Sequence, residues 1–322
     1  MTWLVTGGAG YIGSHVVREL QGATVPVVVL DNLVTGVRSF VPDSVPLVEA
    51  DLLDTEAVEA ALREHRITGV IHIAGFKFAG ISVEKPVHTY EQNVTAMMSL
   101  LRAMESADVK KIVFSSSSSV YGNAASGLVT EEHPFNPTSP YGESKVIGEW
   151  MLRNQGVAHD LVHTSLRYFN VVGSGSPDLP DVSPYNLFSM VFAALEEGRV
   201  PQIFGTDYDT PDGTCVRDYI HVADLAAAHV AAARRMDRVE KVEHAYNLGT
   251  GTGTSVAEIM TAIASVTGIG FAPTIGPRRA GDPARVVASG ELATRDIEWR
   301  MTHSLENMIS TAWEARKNLP RT

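Results

Sequence analysis

Tyr141 and Lys145 stand four residues apart in the stretch Ser139-Pro140-Tyr141-Gly142-Glu143-Ser144-Lys145. Proline fits the first turn of a helix, where its fixed φ and missing N–H cost nothing, so the stretch predicts a helix opening at Pro140. A spacing of four then puts phenol and ammonium on one face. A tyrosine titrates near ~10 in water, and a cation held beside it favours the phenolate. The pair is therefore a candidate base for a sugar or alcohol hydroxyl near neutral pH. The same spacing also suits an exposed helix face with a buried ring, so the chemistry depends on a cofactor and a substrate being supplied elsewhere in the chain. The run Phe114-Ser115-Ser116-Ser117-Ser118-Ser119-Val120-Tyr121-Gly122 ends an expected strand shortly before this helix. One of its hydroxyls is placed to share a substrate proton with the phenol, and Ser117 is the residue assigned to that task.

A cofactor site is written at the start of the chain. A short apolar strand, Trp3 to Val5, runs into Thr6-Gly7-Gly8-Ala9-Gly10-Tyr11-Ile12-Gly13 and then a helical pattern through Leu20. Strand, glycine turn and helix in that order form a dinucleotide-binding unit: glycines admit a positive φ and let the helix's first N–H groups approach a pyrophosphate. Gly8, Gly10 and Gly13 fit one spacing and Gly7, Gly10 and Gly13 another; both remain open at this stage. The β-rich run Val25 to Leu30 ends in Asp31. A carboxylate there accepts hydrogen bonds from an adenosine ribose and repels a 2′-phosphate, which favours NAD over NADP.

Further apolar runs, Pro46 to Ala50, Gly69 to Ala74, Lys110 to Phe114 and Leu161 to Leu166, alternate with helical patterns. The alternation predicts an α/β fold with a doubly wound parallel sheet, whose ligands bind beyond the carboxyl ends of its strands. At those ends lie Asp51-Leu52, suited to an adenine amino group, and Ala74-Gly75-Phe76-Lys77, where small residues permit close backbone approach. Asn93 lies on the next helical pattern, whose apolar residues through Met104 suit packing against a second copy of the chain. Around Pro177, Pro180 and Pro184 the alternation stops. A substrate-binding region is expected from about residue 171 to 322, after a cofactor domain over 1–170, with a strand-helix segment near 219–235 returning to the sheet.

Of the 322 residues, 26 are basic and 37 acidic, a net charge of −11 that argues against a nucleic-acid-binding or anionic-membrane protein. One cysteine, Cys215, suits a reducing compartment, and no run reads as a signal peptide or membrane span, so a cytoplasmic enzyme is expected. The eleven histidines show no metal-ligand spacing, and no metal is expected.

The glycine loop, Asp31, the serine run and Tyr141/Lys145 together resemble the extended short-chain dehydrogenase/reductase family. Four further segments narrow the resemblance to the UDP-glucose 4-epimerases within it, over essentially the whole chain: Ala74 to Lys77, Leu166-Arg167-Tyr168-Phe169-Asn170, Asp212 to Val222, and Arg278-Arg279-Ala280-Gly281-Asp282. The resemblance implies a Rossmann-type domain with a smaller α/β substrate domain. It implies NAD as cofactor, held by Gly7, Gly8, Gly10, Tyr11, Ile12 and Gly13, by Asp31, Asn32, Leu33, Val34, Thr35 and Gly36 around the ribose, and by Asp51 and Leu52 at the adenine. Ile73, Ala74, Gly75, Phe76, Lys77, Asn93, Ser115, Tyr141, Lys145 and Phe169 complete that shell. A UDP-hexose is the implied substrate, with Lys77, Ser117 and Tyr141 at the sugar and Asn170, Asn186, Arg217, Arg279 and Asp282 at the nucleotide. A homodimer is the implied assembly.

The implied reaction is inversion at sugar C4 through transient oxidation, with Tyr141, Lys145 and Ser117 catalytic. The residues alone support the nucleotide assignments, because a guanidinium fork matches phosphate oxygens and Arg217 and Arg279 suit a diphosphate clamp. Either arginine equally suits an ion pair with Asp218 or Asp282. Val286 stands where a larger residue often lines the sugar, so UDP-N-acetylhexosamines are expected as further substrates. Two other readings use the same residues: a sugar-nucleotide 4,6-dehydratase or UDP-glucuronate decarboxylase, and a non-catalytic NAD sensor. Ser118-Ser119 offers no acid pair of the kind that water elimination requires, and the sensor reading leaves both Tyr141 and Lys145 without a purpose.

Overall fold

The computed structural model describes residues 1–123, 127–238, 242–279 and 282–319, so Ala280 and Gly281 of the expected nucleotide-binding stretch lie outside the described residues. Seven strands form one wholly parallel sheet: β1 (Trp3–Thr6), β2 (Val27–Asp31), β3 (Leu47–Glu49), β4 (Gly69–His72), β5 (Lys111–Ser115), β6 (Val162–Tyr168) and β7 (Ala245–Leu248). Their order across the sheet is β7-β6-β5-β4-β1-β2-β3. The chain winds outward from β1 to one edge and from β4 to the other, the doubly wound Rossmann-type arrangement. The crevice lies beyond β1 and β4, where the winding reverses.

Helices α1 (Tyr11–Gly22), α2 (Thr55–Glu64), α3 (Ala96–Ser106), α4 (Pro140–His159) and α5 (Val222–Arg238) cover the sheet. Because both faces are covered, the central strands such as β1 and β2 read as near-continuous apolar runs, and successive side chains serve opposite layers. Trp3 and Val5 of β1 pack with Val16, Val17 and Leu20 of α1 and with α5. Leu4, between them, packs into the layer of α2, α3 and α4 with Val58, Met97 and Leu152. Asp31 is the last residue of β2, at the tip of the strand as expected, and Asp51 follows β3.

A second region carries smaller sheets. Strands Thr254–Ser255, Val216–Arg217, Arg285–Ala288 and Leu128–Val129 form one of four strands; Tyr219–His221 pairs with Asn170–Val172, and Thr274–Gly276 with Gln202–Phe204. Helices Leu187–Glu196, Val256–Thr267 and Leu305–Arg316 enclose its core of Phe188, Phe192, Ile259, Ile263, Met308 and Ile309. The chain crosses back after Tyr219–His221: α5 packs against α1, and β7, beyond the segment expected to return, forms the edge of the large sheet. Among the described residues no helix is long and apolar enough to cross a membrane.

Candidate active site

Crowding identifies the glycines on which the turn after β1 depends. Gly7 has φ +72° and lies so close to the end of β4 that a Cβ would stand 2.8 Å from the Ala74 nitrogen. At Gly13 a Cβ would stand 2.0 Å from the Gly7 carbonyl oxygen. Gly10 donates its N–H to that same oxygen at 3.1 Å. The set Gly7, Gly10, Gly13 thus makes the turn, while Gly8 meets the Val29 side chain on β2. Gly10 caps α1 without a side chain, which leaves the first-turn N–H groups at Tyr11 to Gly13 free of intrahelical partners and aimed into the crevice. This donor set fits a pyrophosphate, the central group of NAD.

The rest of the expected cofactor shell lines the same edge of the sheet. Asp31, buried at the end of β2, accepts the Ala9 N–H at 3.0 Å and the Leu33 N–H at 2.9 Å, and Gly36 passes so near that a Cβ would strike its carboxylate. Asn32 donates to Asp51 at 2.8 Å, linking the ends of β2 and β3 beside Leu52. Val34 is exposed. Beyond β4, Asn93 sits in a widened π-type turn, Glu91–Thr95, that faces it inward. Its amide accepts the Phe76 N–H at 2.7 Å and donates to the Phe76 carbonyl at 3.0 Å and to Ser144 on α4 at 2.9 Å. One side chain therefore clamps the segment Ile73 to Lys77 to the helix of Tyr141. Tyr11 differs from expectation in its side chain: the ring is buried and its hydroxyl donates to the Gly173 carbonyl at 2.5 Å, so only its backbone faces the crevice.

Helix α4 begins at Pro140 as expected, with Ser139 accepting the Gly142 N–H at 3.2 Å as its cap. Lys145 is 6% exposed; its ammonium lies 5.7 Å from the centre of the Tyr141 ring and 4.8 Å from that of Phe114, and donates to the Ser115 carbonyl at 2.8 Å. Burial lowers this amine to about 8, against the pull of Glu149. The Tyr141 phenol is raised above its ordinary value by burial and partly restored by a bond with the Ser117 hydroxyl. Loss of hydration is thus the main influence on the phenol, and Ser117 is the neighbour that favours its ionisation. Of the serine run, Ser115 bonds His229 and Ser116 bonds Glu149, both at 2.6 Å, whereas the Ser117 hydroxyl bonds Ser119 at 3.1 Å and neighbours Tyr141. Phe169 packs behind them against Val120 and Tyr121.

The remaining expected residues lie on the second region. Asn170 is exposed and donates to the Asp218 carbonyl at 3.0 Å. Asn186 caps Leu187–Glu196, accepting the Ser189 N–H at 2.7 Å, and donates to Asp181, whose charge also feels Lys77. Arg217 pairs with Asp282 at 3.5 Å, and the Arg279 guanidinium stacks 4.1 Å from the centre of the Phe204 ring. Val286 is the register partner of Arg217 and is buried.

Other contacts were not foreseen. Asp218, buried, accepts the Thr250 N–H at 3.0 Å and the Ala288 N–H at 3.0 Å, tying together the loops around Arg217. Glu149, Arg167, Ser116, Tyr121 and Asn247 form a buried polar network behind Ser117 and Lys145. The one sequence signal for it is that Glu149 continues the four-residue step from Tyr141 to Lys145.

Comparison with known proteins agrees with this geometry. Residues 3–249 match the NAD dependent epimerase/dehydratase family. The UDP-glucose 4-epimerase of Lactobacillus helveticus is 42% identical over 100% of this chain and 98% of its own. The crystal structure of UDP-glucose 4-epimerase from Stenotrophomonas maltophila with bound NAD and formylated UDP-arabinopyranose superimposes with a TM-score of 0.94 at 38% identity, covering 98% of each chain. That from Bifidobacterium longum in complex with NAD+ and UDP gives 0.90 at 38%, covering 99% of each. With a family match over three quarters of its length and full-length relatives at this identity, the chain belongs to the NAD dependent epimerase/dehydratase family.

Proposed function

We propose that the protein is a UDP-glucose 4-epimerase, interconverting UDP-galactose and UDP-glucose. The observation that carries this reading is the convergence of Tyr141, Lys145 and Ser117 at the mouth of a crevice floored by a pyrophosphate-sized glycine turn. A bound NAD would supply the hydride acceptor for transient oxidation at sugar C4 and the donor for its reversal, with no net redox change. Gly7 to Gly13 hold the pyrophosphate, Asp31 to Gly36 the adenosine ribose, Asp51 and Leu52 the adenine. Ile73 to Lys77, Asn93, Ser115, Lys145 and Phe169 bound the nicotinamide end. Residues 1–170, with α5 and β7, form the cofactor half, and residues 171–322 mainly the substrate half.

Tyr141 takes the proton of the 4-hydroxyl. Ser117 stabilises the phenolate by hydrogen bonding, and Lys145, charged, offsets the anion. Arg217 and Arg279, with Asn170, Asn186 and Asp282, clamp the uridine diphosphate so that the hexose can turn over between the two hydride transfers. The small Val286 leaves space beside the sugar, which makes UDP-N-acetylglucosamine a second substrate. We further propose a homodimer through α3 and α4, which lie on the same face of the sheet and expose Met98, Trp150 and Val157.

Conversion of UDP-galactose by wild type and Tyr141→Phe, with the NAD content of each, tests the assignment. We expect activity in the wild type, a loss of about 10²–10⁴-fold in the variant, and NAD retained in both. A variant as active as wild type overturns it. Turnover of UDP-N-acetylglucosamine and the mass in solution test the other two proposals.

A further inference from the structure

Tyr141, Lys145 and Glu149 follow one another at steps of four along α4, and the third is as buried as the second. Glu149 uses both carboxylate oxygens. One accepts the Ser116 hydroxyl at 2.6 Å and the Arg167 Nε at 3.0 Å; the other accepts Arg167 Nη2 at 2.5 Å. Arg167, on β6, donates Nη1 to the Tyr121 hydroxyl at 2.7 Å, and Tyr121 donates to Asn247 on β7 at 2.7 Å. The Ser116 bond ties this ion pair to the segment that follows β5. That serine stands between Ser115, whose carbonyl receives the Lys145 ammonium, and Ser117, whose hydroxyl meets Tyr141. A bond from Glu149 to Ser116 thus fixes the short segment through which both contacts are made.

We infer that Glu149 is a positioning residue of the reaction, resting on the function proposed above: its carboxylate anchors the segment that receives Lys145 and presents Ser117, and its negative charge stands one helical turn from the Lys145 ammonium.

The groups facing Lys145 make this charge the deciding one. From β4 comes His72 and from α5 His229, which bonds Ser115; burial pushes them down to about 3 and about 4, so both are neutral at neutral pH. The phenols of Tyr141 on its own helix and Tyr168 on β6 are held neutral by burial, and Phe114 on β5 offers a ring face. Arg167 is cationic, locked onto Glu149. Among the described residues the anion opposing the loss of the Lys145 proton is Glu149.

Two substitutions separate anchoring from charge in the NAD-loaded enzyme. Glu149→Gln keeps the shape and an acceptor oxygen but removes the charge. Its kcat for UDP-galactose should fall off with rising pH about one unit earlier than the wild type's, with KM changed less than about twofold, because one unit of pKa corresponds to a tenfold change in the protonation equilibrium. Ser116→Ala leaves the charge and removes the anchor. It should lose about tenfold in kcat while its alkaline limb stays at the wild-type pH. If Arg167 without its counter-charge prevents Glu149→Gln from folding, Glu149→Met/Arg167→Met removes both ions, and its limb should move in the same direction. A folded, NAD-loaded charge-removed variant with an unmoved limb, or Ser116→Ala at wild-type kcat, overturns the inference. A wild type that turns over no UDP-hexose instead fails the proposed function; an active wild type whose limb ignores these changes fails this inference alone.

Discussion

Gly13→Ala should both destabilise the protein and empty it of NAD. The added Cβ would lie 2.0 Å from the Gly7 oxygen and 2.8 Å from both the Gly7 carbonyl carbon and the Gly8 Cα. All three are backbone atoms, so no side chain can swing aside. Reaching an ordinary contact of 3.4 Å means separating helix and turn by about 1.4 Å. Overpacking costs about 1–3 kcal/mol or more, and a site where only backbone can yield belongs at the upper end. At about 2–4 °C per kcal/mol for a domain of this class, a cost of about 3 kcal/mol lowers Tm by about 6–12 °C. The same displacement takes the Tyr11 and Ile12 N–H groups away from a pyrophosphate, and N–H···O bonds weaken within a few tenths of an ångström.

Gly22, at the far end of the same helix, is the matched control. Its Cβ would meet nothing within 4 Å, so Gly22→Ala should be neutral or stabilising by up to about 1 kcal/mol, the ordinary helix preference for alanine. Thermal melts of the three proteins, with mass spectrometry of the denatured samples to count released NAD, decide the matter. Gly13→Ala carrying a full complement of NAD and melting within about 2 °C of wild type would show that the turn does not depend on this contact.

Three further outcomes are expected. Asn93→Ala strands the Phe76 N–H and carbonyl and frees the Ile73–Lys77 segment; a loss of about 1–3 kcal/mol and faster NAD release should follow, measured by denaturant midpoint and by dialysis, and an unchanged release rate would contradict the clamp. Five buried histidines, His15, His163, His221 and His229 at about 4 and His72 at about 3, are neutral in the folded chain but take a proton near 6.5 when unfolded. The unfolded state therefore binds more protons as pH falls below 6.5, each worth up to about 1.4 kcal/mol per pH unit; urea midpoints should drop steeply from pH 6.5 to 4, and a flat profile refutes the reading. Arg279→Ala removes a guanidinium already held over Phe204 and should raise KM for UDP-galactose about 10–100-fold with kcat within about twofold, whereas a fall in kcat with KM unchanged would place Arg279 at the chemistry instead.

The cofactor half was legible because its signals are local. The strands beside the crevice are short, mostly apolar runs with polar residues at or just past their ends, so Asp31, Asp51 and the Gly7–Gly13 turn can be read without knowing what lies across the sheet. Choosing Gly7 over Gly8 as the turn's positive-φ residue needed the neighbouring strand, because the constraint is the approach of Ala74, 67 positions away. The substrate half was harder for the same reason: Asn186, Arg217 and Arg279 sit on short strands and loops with weak periodicity, where the resemblance nominates them and the guanidinium chemistry of the two arginines only supports the choice.

The Tyr141–Lys145 pair shows what a helical spacing conveys and what it leaves to the surrounding fold. The four-residue step is a property of the helix and survives in the structure, but the acidity of the phenol is a property of its surroundings. Residues from β5, β6 and α5 close over the pair, so lost hydration raises the phenol and lowers the amine. The compensation comes from groups that chain spacing cannot nominate: the Ser117 hydroxyl for the phenol, and for the amine a carboxylate on its own helix whose opposite face is committed to Arg167, 18 residues away. In this site the reactive pair is written locally in the helix, while the terms that set its protonation state depend on contacts formed when distant strands are brought together.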